Sequence, residues 1–338
     1  WGKHPSAISA DWGAQRIKGL SLTKAVLAAL KKSRKSQPSP DIQQKNSETS
    51  LIEQFIYPKL GPGQLWETVA SEIEKLGGEI KLKHQVVAVN MVNDKISSVT
   101  VRNNAGRHFD IHGDFFLSSM AVKDLIQSVR GTDIPEEVIT ISSNLPYRDF
   151  ITVGLLVNKM KIKNETKMKT IGNIVPDTWI YIQERDVRIG RLQIFNNWSP
   201  YLVEDLENTV WLGLEYFCNE DDELWNMSDE DFITFSAEEL SRIGIIDKSD
   251  VLDAVRVKVE KAYPAYFGTY GNFHKVRNWI DGVQNLYCIG RNGQHRYNNM
   301  DHSMLTGMEA VRLISENSMN KSGLWAVNSE EEYHESKK

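Results

Sequence analysis

Residues 286–304 read LYCIGRNGQHRYNNMDHSM, and how this stretch is taken decides the fold. Leu286 to Ile289 is an apolar, strand-like run that meets Gly290; dense polar and aromatic sequence follows, and then a helical pattern runs through MLTGMEAVRLI. If Leu286–Ile289 is a strand and Met300–Ile314 a helix, Gly290–Asn299 becomes the loop that enters a helix N-terminus. Such an end presents unpaired N–H groups and a partial positive charge, suited to an anion or an electron-rich carbonyl. Gly290 and Gly293 let backbone approach a ligand, Arg291 suits a phosphate, and Asn298 or Asn299 suits a helix cap or a planar heterocycle. The same residues also make an ordinary strand–loop–helix junction with an Asn cap. His295 and His302, without a second pair, match no zinc or facial-triad spacing, so no metal is expected.

Outward from this stretch, 338 residues are enough for two or three domains. A net charge of −5, from 40 basic and 45 acidic residues, leaves no footprint for nucleic acid or an anionic membrane. Cys218 and Cys288 both sit in apolar strand-like runs, as buried reduced thiols of a cytoplasmic protein would. No apolar run approaches the roughly 20 residues that span a bilayer, so no membrane insertion is expected. The chain opens in patterned sequence, WGKHPSAISADWGAQRIKG, without an initiator Met, as a piece of a longer protein would.

Residues 21–32 carry a helical face, with Ser21 as N-cap, and a polar, proline-bearing linker follows Lys32. Leu65, Trp66, Val69, Ala70, Ile73 and Leu76 predict a helix that exits through Gly77-Gly78. EIKLKHQVVAVNMVNDKISSVTVRNNAG alternates about Asn93-Asp94 like a strand pair, and HGDFFLSSM reads as a covered strand. Five further candidates, DFITVGLLVNKM, DTWIYIQE, RLQIFNN, TVWLGLEYFC and VLDAVRVKVEKAYPAYF, suggest a largely antiparallel sheet. One helix should cover it, with Ser228 as N-cap, Asp231 at N3, and Phe232, Phe235, Leu240 and Ile243 facing inward. A polar tail begins at about Asn317.

FIYPKLGPGQLWETVASEIEKLGGEI, VVAVNMVNDKISSVTVRNNAG, DFFLSSMAVKDLI and LYCIGRNGQHRYNNMDHSMLTGMEAV together resemble the FAD-dependent amine oxidase, protoporphyrinogen oxidase and phytoene desaturase superfamily. The Gly-Arg, Tyr and Asn-Met-Asp arrangement is most similar to UDP-galactopyranose mutase-like flavoproteins of bacterial sugar and polysaccharide pathways. The resemblance implies an α/β (α+β), two-domain, FAD-linked oxidoreductase fold with a mixed, mostly antiparallel substrate-domain sheet. It further implies that Val86 and Val87 meet the adenine side of FAD by their backbone, and that Ser119 and Met120 return toward the cofactor. Gly290 and Arg291 would lie near the pyrophosphate and ribityl chain, Asn299, Met300 and Asp301 beneath the flavin pyrimidine, and Tyr57, Lys59 and Gly61 near the flavin. The superfamily's Gly-x-Gly-x-x-Gly fingerprint, with an acidic residue about 20 positions later, is not found in these residues. The N-terminal Rossmann part is therefore expected to be missing from this chain. The implied division is a helical segment and mobile loop over 1–52, part of an FAD domain over 53–126, a substrate domain over 127–270, a closing FAD segment over 271–316 and a flexible tail over 317–338.

Three functional classes follow. The first is an FAD-dependent oxidoreductase acting on a small polar or sugar-linked substrate, the cofactor carrying the chemistry. His295 and Tyr297 are its catalytic candidates, and Asn197, Trp198, Tyr266 and Tyr270 its substrate-binding candidates. The second is a mutase-like isomerase of nucleotide sugars, in which the resembling family uses reduced flavin as a nucleophile. The third is a non-catalytic carbohydrate-binding module. Exposed apolar sheet surface would favour a homodimer.

Overall fold

The computed structural model describes residues 56–327. The helix expected over residues 21–32 and the linker after Lys32 lie outside them, as does the end of the tail. In chain order the principal elements are α1 (Pro62–Lys75), β1 (His84–Val92), β2 (Lys95–Asn103), β3 (His108–His112), β4 (Phe116–Ser118), α2 (Val122–Ser128), β5 (Val129–Arg130), α3 (Glu136–Ser143), β6 (Tyr147–Val157), β7 (Trp179–Tyr181), β8 (Arg191–Ile194), β9 (Val210–Cys218), α4 (Asp229–Arg242), β10 (Val251–Pro264), α5 (Phe273–Gly282), β11 (Leu286–Cys288) and α6 (Met300–Ser315). This mixed α/β chain divides into two units, one of residues 56–82 with 147–262 and one of residues 83–146 with 263–327.

In the first unit the five strand candidates form one sheet in the order β10-β6-β9-β8-β7, with β6, β9, β8 and β7 antiparallel in turn. Alternation builds its core. Ile151, Val153 and Leu155 of β6 pair with Tyr216, Leu214 and Leu212 of β9, and all six side chains are buried on one face. Phe232, Ala237 and Leu240 of α4 join that core. Ser228 caps the helix as its spacing predicts, its Oγ accepting from Asp231 N at 3.1 Å. The third candidate, RLQIFNN, is shorter than predicted. β8 stops at Ile194 and Phe195–Trp198 turns helically, because the Asn196 side chain takes the place of a strand neighbour, accepting from Trp211 N and donating to Thr209 O, both at 2.9 Å.

α1 begins at a left-handed Gly61 with Pro62 in its first turn and leaves through a left-handed Gly77. Its apolar stripe is not buried: Trp66, Val69, Ile73 and Leu76 all lie at the surface.

The second unit holds a sheet of order β3-β2-β1-β5 and a parallel pair, β4 with β11. β1 and β2 turn at Asn93, whose φ of 55° suits an asparagine. Buried Asn285 clips three segments together, bonding the Ile96 backbone in both directions at 2.9 Å and donating to Asp114 O at 3.1 Å. β4 is less covered than its sequence suggests, since Leu117 stays exposed. The polar stretch after Asn317 carries structure at its start: Ser322–Ala326 forms a helical turn that buries Leu324 and Trp325. These two apolar residues outweigh the polar composition around them. Lys321, also buried, donates to Val283 O and lies over the Tyr287 ring. Cys218 and Cys288 are buried free thiols, pushed up to about 11 and about 12 by burial. Among the described residues no helix is long and apolar enough to cross a membrane.

Candidate functional site

The β4–β11 pair assembles the core of the site in the second unit. Cys288 stands opposite Ser118, and Ile289 N donates to Ser118 O at 2.9 Å, so the chain arrives at Gly290 beside Ser119. Both strands run parallel and end together, the place where α/β folds leave a crevice for a ligand. Gly290 has φ +70°, and where its Cβ would stand the nearest heavy atom is Ser119 Cβ, 4.0 Å away. Gly293 is tighter: a Cβ there would come within 2.5 Å of Ser118 O. The two glycines thus differ in purpose, one leaving space and one allowing contact.

α6 starts from the same loop. Asn299 and His302 form a reciprocal capping box, and Thr306 Oγ accepts from Gly290 N at 2.8 Å, tying the helix to the loop. Met300 and the Asp301 side chain stay open to solvent at the helix start. Ser119, Met120, Gly290, Arg291, Asn299, Met300 and Asp301 therefore belong to adjoining segments. Val86 and Val87 lie on β1, where the pairing with β2 skips Val87 between Val86 and Ala88, an irregularity that leaves the Val87 backbone outside the ladder. Among the described residues, no group of three or more His, Cys, Asp or Glu stands close enough to hold a metal ion.

Aromatic packing shapes the rest of the loop. The Arg291 guanidinium lies over the rings of Tyr297 and Tyr263, at 4.7 and 5.2 Å, and its Nε donates to Asn298 O at 2.8 Å. Tyr263 and Tyr297 stack at 6.0 Å. Tyr266 stacks on Tyr270 at 4.6 Å, and its hydroxyl accepts from Tyr297 N. Burial pushes the Tyr266 phenol up to about 12. His295 is wholly buried, with φ +45°, near the Tyr270 and Phe273 rings, and its Nε2 bonds Ala265 O at 3.2 Å. Burial pushes this imidazole down to about 4, so it is neutral at pH 7.

The first unit carries a second group of candidates. Tyr57 stacks on Trp198 at 5.2 Å, Lys59 lies over the Tyr201 ring, and Lys59 O accepts from Ser199 Oγ at 2.6 Å. Tyr57, Gly61, Phe195, Leu202 and Trp211 line a cleft of about 230 Å³. Asn197 and Trp198 spend their donors on backbone: Asn197 Nδ2 bonds Val175 O and Asp177 O, and Trp198 Nε1 bonds Thr178 O.

Beside that cleft, the sheet face turned away from α4 gathers several aromatic and charged residues. Trp211 and Phe195 lie against Gly154 and Gly213, where a Cβ would meet their rings at 2.5 and 2.8 Å. Arg191 and Glu215 form a buried ion pair, Gln193 also donates to Glu215, and Arg191 lies over the Trp179 and Phe217 rings. Burial raises the Glu215 carboxyl, with Arg191 and Gln193 opposing it. Trp179 and Tyr181 stack at 6.0 Å and are exposed. A glutamate inside the apolar run TVWLGLEYFC was the available signal for this pair.

Two solved structures share this architecture. A reduced UDP-galactopyranose mutase aligns over 81% of this chain and 56% of its own, with 18% identity and a TM-score of 0.61. A protein designated a protoporphyrinogen oxidase, from Exiguobacterium sp. 255-15, aligns over 78% of this chain and 53% of its own, with 16% identity and a TM-score of 0.53. The fold is that of the FAD-dependent, amine oxidase-like flavoproteins. The chain spans about half the length of the two solved flavoproteins it matches. No family model matches the sequence, and no curated protein matches it.

Proposed function

We propose that this chain supplies the closing cofactor segment and the substrate sheet of an FAD-dependent enzyme, an oxidoreductase acting on a small polar or sugar-linked substrate. The observation that carries this reading is the meeting of Ser118–Met120 with Gly290 at the shared end of β4 and β11, with Asn299–Asp301 opening the tied helix. Bound FAD would supply the electron transfer. The chain's own part is to place it: Gly290 gives room for close approach, Val86, Val87, Ser119 and Met120 offer backbone, and Asn299, Met300 and Asp301 present the start of α6. Arg291 packs against the stacked rings of Tyr263 and Tyr297, which orients its remaining N–H groups. Tyr297 is the better acid or positioning candidate of the proposed catalytic pair. His295, buried and neutral, holds the loop to Ala265 in this reading, and Tyr266 does the same through Tyr297 N.

A mutase-like reaction on a nucleotide sugar is the second reading, and the open sheet face favours it. Stacked Trp179 and Tyr181 offer a platform for a planar base or a sugar ring, next to the Arg191–Glu215 pair. Tyr57 and Lys59, docked on the turn before Leu202, would close the cleft of that same unit.

The test is an absorbance spectrum of the protein expressed from its complete coding sequence and purified with FAD. Oxidised flavin bands, lost in Gly290→Val, are expected. Bleaching by substrate without reductant would establish the oxidoreductase; an adduct with nucleotide sugar that forms only after dithionite would establish the mutase. Absence of flavin from a folded, complete protein would overturn both in favour of a non-catalytic binding module.

A further inference from the structure

Segments far along a chain are ordinarily loose unless something ties them down, and the polar sequence after Asn317 has few apolar side chains to do so. The turn at Ser322–Ala326 is nevertheless fastened on several sides. Lys321, just before it, is 3% exposed and gives its ammonium to the carbonyls of Val283 and Asp281 at the exit of α5. Lysine is rarely buried this far, because its charge gives up water. Trp325 Nε1 donates to Asp281 Oδ1 at 2.8 Å, and the Arg277 guanidinium lies 5.2 Å from its ring. Leu324 packs with Tyr287 of β11 and with Ala310 and Leu313 of α6.

The same turn reaches the loop between Gly290 and Tyr297. The buried Gln294 donates from its amide to Leu324 O at 2.9 Å as well as to Cys288 O at 3.3 Å, and Arg296 Nη1 meets Trp325 O at 3.5 Å. The Phe273 ring joins the two segments a second way, with Trp325 edge-on to it at 6.2 Å and His295 against it at 5.8 Å. Elsewhere the loop has its own supports: Gly290 on Thr306, His295 on Ala265 O and Tyr297 N on the Tyr266 hydroxyl. The middle, Gln294 to Arg296, is the part whose place depends on the tail.

We propose that Lys321–Ala326 is a positioning strap for the loop Gly290–Tyr297. Docked, it fixes the loop beside Ser119; undocked, it frees Gln294 and Arg296, and with them the Arg291 and Tyr297 side chains between which they stand in sequence. The consequence for a ligand rests on the cofactor reading above. A chain with its strap released holds FAD less tightly, and bound FAD keeps the strap docked, because coupling between two sites acts in both directions.

The test is amide hydrogen exchange of the full chain, read by mass spectrometry, for the unchanged protein and for Trp325→Phe. This variant keeps a ring against Phe273 and removes the bond to Asp281. If the loop opens only when the strap leaves, amides of 290–297 and of 321–326 should speed up together, by about fivefold for one lost hydrogen bond. Those of β1 and β2 should stay as they were. Faster exchange confined to 321–326, or an equal rise in β1 and β2, would overturn the strap. The link to the cofactor is read in protein made from the complete coding sequence, without any variant: FAD at ten times its dissociation constant should slow the amides of 321–326 by about tenfold. Strap amides indifferent to bound FAD would overturn that link. A complete protein with no affinity for FAD would overturn the cofactor reading instead, and the Trp325→Phe comparison would still decide the strap.

Discussion

Gly293 and Gly63 show how little a residue's name says before its neighbours are known. At Gly293 an added methyl would press on Ser118 O, backbone that cannot swing aside, whereas at Gly63, inside α1, it would meet nothing within 4 Å. Gly293→Ala should therefore cost about 1–3 kcal/mol by overpacking. Gly63→Ala should gain about 0.4–1 kcal/mol by restricting the unfolded chain. Urea midpoints for the two variants check this, and equal shifts would refute it. The sequence marks both glycines as turn or close-approach positions, yet the direction of Ser118 O comes only from the pairing of β4 with β11. The same holds for Asn197 and Trp198. Their chemistry suggests ligand contact, while the backbone that their side chains hold, at Val175, Asp177 and Thr178, becomes visible only once the chain is folded.

Elements were easier to read, because period and capping are local. All five strands of the large sheet and the helix over it follow from alternation and from Ser228. Ser228 Oγ accepts from Asp231 N and also donates to the Asp231 carboxylate, so Ser228→Ala should destabilise its unit by about 1 kcal/mol. Restoration of stability by Ser228→Asp, measured in urea, separates capping from packing; a loss left unrepaired by Asp would show that the hydroxyl acts otherwise. The break after Ile194 was not legible, since RLQIFNN keeps a strand's composition while Asn196 bonds like a strand's backbone. The apolar stripe of α1 was legible as a helix, but its exposure was not: periodicity tells which side is apolar and leaves open what meets it.

For the whole molecule, the buried imidazole sets an acid limit. His295 is held at about 4 against an ordinary 6.5, so above pH 6.5 it is neutral folded or unfolded and its contribution is fully present. As pH falls from 6.5 toward 4 the unfolded chain takes up a proton that the folded chain refuses, and stability declines. The loss should reach about 3 kcal/mol at the lower end, following the pKa difference. His295→Asn, which tolerates the positive φ, should flatten that slope in denaturation curves taken from pH 7 to 4. An unchanged slope would mean that another group governs it. At this scale the mixed fold was legible from the resemblance of the quoted segments, and two solved structures at 18% and 16% identity share it.

The docked tail adds an order of events to this architecture. Gln294 is buried in the loop that carries the proposed site, and its amide donates to Cys288 O and, 30 residues later in the chain, to Leu324 O. During synthesis from the N-terminus, the loop emerges before the acceptor that completes it. Its final hydrogen bond waits on the turn at Ser322–Ala326, so a ribosome that stops short of Leu324 would release a chain containing every proposed cofactor residue but an unfinished loop.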